Sequence, residues 1–190
     1  MKAKAVFLDR DGTLIQERGH ISVLGQVKFI KGAYTALRKL QNLGFKLIIV
    51  SNQSGVARGI LTETEVQKVN RYILSELEKR AIKINRIYYC PHHPEYGNQR
   101  YLRNCTCRKP GSGMVKQAQK RLNLSAKNSY VIGDKMTDIE LAKNIKGKGI
   151  LVLTGYGKRE LSRLNSRRGR PDFVARNLLQ AVKWIASNAK

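Results

Sequence analysis

Short β-branched apolar runs alternate with helix-patterned segments along almost the whole chain, and this alternation restricts the fold more than any other feature. AKAVFLD (Ala3 to Asp9), FKLIIVS (Phe45 to Ser51), Arg86 to Cys90, Ser129 to Asp134 and Gly149 to Leu153 read as strands. Between them, Ala33, Leu37, Leu40 and Leu43 recur at helical spacing, with Gly44 where a helix would end. Thr62 and Glu65 form a capping box that opens a helix to about Arg80. Met114 to Leu122 and Leu178 to Ala186 are helical, and Thr137 is expected to cap a short helix from Asp138 to Asn144. Strand and helix in alternation predict an α/β fold, a three-layer Rossmann-like, mostly parallel sheet with helices on both faces. Residues 1–190 read as one domain without a large cap insert, and Lys158 to Arg170, basic and weakly apolar, reads as a surface loop.

In such folds ligands bind beyond the carboxyl ends of the strands. Asp9, Ser51-Asn52, Cys90 and Asp134 stand at four of those ends. DRDGT places Asp9 and Asp11 two residues apart, on the same side of an extended chain. Carboxylates thrown together repel unless a cation lies between them or one is protonated. An Asp-Gly pair alone is an ordinary turn. It gains meaning because Asp134 ends another strand and Asp138 follows, in a chain with only 13 acidic residues. That set predicts a Mg²⁺ site, since Mg²⁺ is commonly held by one or two carboxylates, water and substrate phosphate. One carboxylate could then attack phosphorus while the other moves a proton. Ser51 and Asn52 offer donors, and Lys109 and Lys135 offer charge, for the transferring phosphoryl group.

DRDGT, SNQSGVARG, RKP and GDKxxD, in that order, resemble the motifs of the haloacid dehalogenase (HAD) phosphohydrolase superfamily over residues 3 to about 155. Cys-x-His and Cys-x-Cys pairs narrow the resemblance to its zinc-containing branch. The resemblance implies that Asp9 is the nucleophile and Asp11 the general acid/base, whose backbone carbonyl also touches Mg²⁺ alongside Asp9 and Asp134. It implies that Ser51 and Lys109 hold the phosphoryl group, with Arg108 beside them. Glu17, Arg18, Gly19, His20, Ser51, Asn52, Gln53, Ser54, Arg108, Lys109 and Lys135 match the stretches that face substrate. The implied substrate is a small anionic sugar phosphate, the 7-phosphate of a heptose 1,7-bisphosphate, with histidinol phosphate as the alternative.

All three cysteines lie in one polar loop, as Cys90-x-His92 and Cys105-x-Cys107. Four such ligands suit a closed tetrahedral Zn²⁺ site. His93 could replace His92; the family pattern favours His92. A disulfide between Cys105 and Cys107 would be strained. A zinc clip over residues 90–107 would order about 20 residues that lack strand or helix pattern, and would fix where Arg108 and Lys109 emerge.

Bulk composition limits the partners. No stretch approaches the roughly 20 apolar residues of a membrane span, and the apolar run before Asp9 is too short for a signal peptide. With an odd cysteine count, the expected location is the reducing cytoplasm. Thirty-seven Lys and Arg against 13 Asp and Glu give a net charge of +24. That surface attracts polyanions and anionic substrates alike. Nucleic-acid binding is the rival reading, but the chain shows no aromatic stacking platform, so a solvated basic surface is preferred. A monomer is expected.

Overall fold

The computed structural model describes residues 2–164 and 169–188. Strand β1 (Ala5–Leu8) is followed by α1 (Ala33–Asn42), β2 (Lys46–Asn52), α2 (Glu63–Glu78), β3 (Arg86–Cys90) and α3 (Gly113–Leu122). After them come β4 (Tyr130–Gly133), α4 (Met136–Asn144), β5 (Lys148–Val152), α5 (Gly157–Ser162), β6 (Phe173–Ala175) and α6 (Leu178–Asn188). All six strands are parallel, in the order β3-β2-β1-β4-β5-β6.

Every residue of β1 and β4 is buried, as both faces of a central parallel strand require. Alternate residues serve opposite layers. Val6, Leu8, Leu47, Ile49, Ile132 and Ile150 face α1, α2 and α6, through Leu37, Leu40, Val69, Ile73, Val182 and Ile185. Ala5, Phe7, Ile48, Val50 and Val131 face α3 and α4, through Met114, Val115, Ala118 and Leu141. The sheet is therefore the middle of three layers, and among the described residues no insert between strands is large enough to form a cap domain.

A local signal sets the start of α2. The Thr62 side chain accepts from the Glu65 amide, and the Glu65 carboxylate accepts from the Thr62 amide at 2.7 Å, so α2 starts where the capping box places it. Three readings need correction. Helix α4 starts at Met136, not Asp138, with Lys135 at the cap position in place of Thr137; the Asp138 carboxylate accepts from the Lys135 amide and Glu160 from the Met136 amide, which gives partners to two amides at this helix end. Gly157–Ser162 within the basic stretch is helix α5, because Leu161 packs beside Met136, Ile139 and Leu151. Residues 165–168 of that stretch lie outside the described residues. Strand β6 was not expected; three residues on the sheet edge are too few for a periodic signal.

The strand order reverses direction at β1, which pairs with β2 on one side and β4 on the other. The register Leu8↔Ile132 sets Asp9 beside the end of β4, and the Asp9 amide donates to the Ile132 carbonyl at 2.9 Å. Ser51 and Asn52 end β2, and Asn52 pairs with Cys90 at the end of β3. The polar groups at the strand ends thus converge on one crevice at the topological switch point.

Candidate active site and metal centres

Asp9, Asp134 and Asp138 are all buried, and their carboxylate oxygens lie within 4.8 Å of one another. Lys109 enters from the loop after β3. Its Nζ is 2.7 Å from Asp9 Oδ1 and 2.6 Å from Asp138 Oδ1, and donates to the Val50 carbonyl at 2.9 Å. Burial works against the Lys109 ammonium, but Asp138 and Asp9 outweigh it and hold its pKa above the ordinary lysine value. The backbone of Lys109 is fixed as well: its amide donates to Asn52 Oδ1 at 2.9 Å, and Asn52 Nδ2 donates to its carbonyl at 3.1 Å.

Asp134 is the carboxylate that a cation would relieve. Its Oδ2 accepts from the Tyr156 amide at 2.7 Å, while its Oδ1 is buried with no hydrogen-bond partner. Burial, helped by the Asp9 charge, pushes its pKa up to about 8. Burial also pushes Asp138 up to about 6, although Lys109 opposes it. Gly12 and Gly155 lie against this carboxylate at φ +77° and +52°, and a Cβ on either would overlap Asp134 Oδ2. An orphaned buried oxygen beside Asp9, in a cradle kept open by two glycines, fits a small hard cation held by oxygen. Lys109 engages Asp138 Oδ1 and the Lys135 amide its Oδ2, whereas Lys109 engages only Oδ1 of Asp9, so Asp9 and Asp134 are the acids with an oxygen to give.

The Asp11 carboxylate is held by a different set of donors. It accepts from Arg10 Nε at 3.0 Å and Arg10 Nη2 at 3.2 Å, and from Gln53 Nε2 at 2.9 Å. Gln53 Nε2 also donates to Ser51 Oγ at 2.7 Å.

These groups wall a cavity of about 280 Å³ that includes Asp9, Asp11, Glu17, Gly19, His20, Ser51, Asn52, Gln53, Ser54, Lys109 and Lys135. The wall thus gathers most of the expected substrate-facing residues. Arg18 and Arg108 are not part of it: Arg18 donates to Gln16 Oε1, and Arg108 to the His92 carbonyl. Lys135 is held 3.6 Å from Glu17 and lies over the Tyr156 ring. Arg58, Thr137 and Tyr156 complete the wall. Sequence reasoning missed Thr137 and Tyr156, along with the engagement of Asp138 by Lys109. The GDKxxD spacing carried the signal for Asp138, because the third residue of a helix that starts just after a strand lies back over the end of that strand.

The second centre lies beside the first. Cys90, His92, Cys105 and Cys107 meet at one point, with sulfur–sulfur distances of 3.1 to 3.4 Å, and the His92 Nδ1 lies 3.4 Å from Cys107 and 3.6 Å from Cys90. All three cysteines are free thiols. Around a tetrahedral ion with 2.3 Å bonds, neighbouring sulfurs would sit about 3.8 Å apart. The observed cluster is a slightly contracted form of that arrangement, so the four side chains can hold a metal ion. His93 turns away: its Nδ1 accepts from the Glu95 amide, and its ring lies on Tyr96. Burial, assisted by Cys107, pushes the Cys90 thiol above its ordinary range.

The parallel sheet, the acids at its switch point and the buried lysine define a phosphoric monoester hydrolase of the HAD class. A family model described as HAD-hydrolase-like matches residues 106–181. The chain is 42% identical over 153 residues to the D-glycero-beta-D-manno-heptose-1,7-bisphosphate 7-phosphatase of Pasteurella multocida, covering 80% of this chain and 83% of that one. It is 39% identical over 186 residues to the protein of the same name from Haemophilus ducreyi, covering 97% and 100%. The crystal structure of D,D-heptose 1,7-bisphosphate phosphatase from B. bronchiseptica, complexed with magnesium and phosphate, superposes with a TM-score of 0.84 at 24% identity, over 98% of this chain and 99% of that one. The chain belongs to the family of heptose-bisphosphate phosphatases within the HAD-like hydrolases. No helix among the described residues is long and apolar enough to cross a membrane.

Proposed function

We propose that this chain removes the 7-phosphate of D-glycero-β-D-manno-heptose 1,7-bisphosphate through an aspartyl-phosphate on Asp9. The β anomer is taken from the relatives' names. The observation that carries the chemistry is the buried Asp9–Lys109–Asp138 chain beside the unpartnered oxygen of Asp134.

In the first step an Asp9 carboxylate oxygen attacks the phosphorus, and the bond from phosphorus to the sugar oxygen breaks. Asp11 gives its proton to the departing alkoxide. In the second step Asp11 takes a proton from water as that water attacks the phosphoryl group, which releases inorganic phosphate and restores Asp9. Lys109 holds the Asp9 carboxylate by an ion pair and presents positive charge to the phosphoryl oxygens, and Ser51 donates from the end of β2. Asp9, Asp134 and the main-chain carbonyl of Asp11 would hold Mg²⁺, which, when bound, lowers the charge that phosphate meets on approach. Lys135, His20 and Arg58 on the cavity wall offer groups to the rest of the anionic substrate, with Arg108 outside it. Cys90, His92, Cys105 and Cys107 would hold Zn²⁺, and the cross-link it would supply would fix the segment that delivers Lys109. Free thiols in this cluster suit a reducing cytoplasm.

Phosphate release from both heptose 1,7-bisphosphate anomers and from histidinol phosphate, each with Mg²⁺, tests this. The expected result is preferential turnover of the β anomer to heptose 1-phosphate, abolished in Asp9→Asn. Turnover of histidinol phosphate alone would overturn the substrate.

A further inference from the structure

Arg10 lies between the two aspartates of DRDGT, and in a chain with 37 basic residues it is 1% exposed. Arg10 lies in the bend just after β1, and its side chain is buried in the fold while Asp9 lines the crevice. A guanidinium does not lose its proton in a protein, so burying one demands acceptors for its donors. They are present. Nε and Nη2 grip the two oxygens of Asp11 at 3.0 and 3.2 Å, Nη2 also donates to Gln53 Oε1 at 3.0 Å, and Nη1 donates to Asn70 Oδ1 at 2.9 Å. Asn70 belongs to α2 and is itself buried. Asp11 lines the cavity, whereas Arg10 and Asn70 do not.

We propose that Arg10, braced by Asn70, is the positioning residue that fixes the Asp11 carboxylate for its proton transfers. This rests on reading Asp11 as the general acid/base. A planar fork on both carboxylate oxygens sets the plane and the rotation of the carboxyl group, which a lysine's single ammonium cannot do. Asp11 Oδ2 accepts from two donors and Oδ1 from one, so the transferable proton belongs on Oδ1. The brace is remote from substrate, so it acts on the rate of proton transfer and not on binding.

Arg10→Lys, Asn70→Ala and Asp11→Asn are compared on the heptose bisphosphate and on p-nitrophenyl phosphate, whose leaving group departs without a proton. On the sugar substrate Arg10→Lys is expected to lower kcat roughly 10- to 100-fold, and Asn70→Ala several-fold, with KM within about twofold. Single-turnover release of nitrophenolate is expected to stay within about twofold of wild type in both. Equal losses on the two substrates, a loss of melting temperature with kcat retained, or a rise in kcat would overturn the positioning role. If Arg10→Lys fails to fold, Asn70→Ala decides by the same comparison. Asp11→Asn separates the two claims. If it retains turnover of the sugar substrate, the reading of Asp11 fails. If it is silent while Arg10→Lys and Asn70→Ala behave as wild type, only the positioning role fails.

Discussion

The Lys109 ammonium sits 2.7 Å from the Asp9 carboxylate with both side chains buried, and Asp138 holds it from the other side at 2.6 Å. A buried cation between two buried anions leaves any single deletion uncompensated. Lys109→Ala is therefore expected to lower kcat about 10²- to 10³-fold, the scale of losing one preorganised electrostatic group. It is also expected to destabilise the metal-free fold by about 3–5 kcal/mol. Steady-state kinetics and denaturant unfolding check the two effects; retained activity would remove Lys109 from the chemistry.

Asp134 links metal binding to pH. Its folded pKa, about 8, is above the ordinary carboxylate value of 3.8, so between those values the folded metal-free protein binds more protons than the unfolded chain. The stability this protonation contributes is present at low pH and is lost as pH rises through 8. Asp138, raised to about 6, acts with the same sign over a lower window. Mg²⁺ competes with that proton. The gain in melting temperature on adding Mg²⁺ to zinc-loaded protein is expected to be larger at pH 8 than at pH 6. A gain independent of pH would contradict the placement of the ion at Asp134.

Gly155→Ala tests the same cradle sterically. The added Cβ would overlap Asp134 Oδ2 at a φ of +52°, so the carboxylate must shift. Mg²⁺ affinity is expected to fall at least about tenfold, the size of effect seen when groups orienting a ligand are disturbed. Titration with Mg²⁺ by calorimetry measures it, and an unchanged affinity would place the ion elsewhere.

These acids were legible in the sequence for a physical reason: each follows a short, fully apolar strand, and a parallel sheet brings such ends together. The roles of Arg10 and Asp138 were not. Arg10 is one of many basic residues, and its burial depends on Asn70, 60 residues away. Asp138 depends on α4 beginning at Met136, which is settled by Glu160 from a helix the sequence pattern did not announce. Edge strand β6 carries too little alternation to be read alone. The zinc-type cluster was legible because cysteine is so rare in this chain.

Zinc removal should separate loop order from fold. About one zinc per chain is expected by metal analysis. Stripping it, or replacing Cys105 with Ser, is expected to speed hydrogen exchange over residues 90–113 while β1 and β4 stay protected, and to reduce kcat by displacing Lys109. Unchanged exchange and turnover after complete removal would show that the cluster does not order the site.

Acid quench of the enzyme during turnover of heptose 1,7-bisphosphate, followed by mass spectrometry of its peptides, tests the central claim most directly. A phosphoryl group is expected on Asp9 in the wild-type protein, and no adduct and no turnover in Asp9→Asn. Phosphate release by Asp9→Asn, or an adduct on another residue, would contradict it.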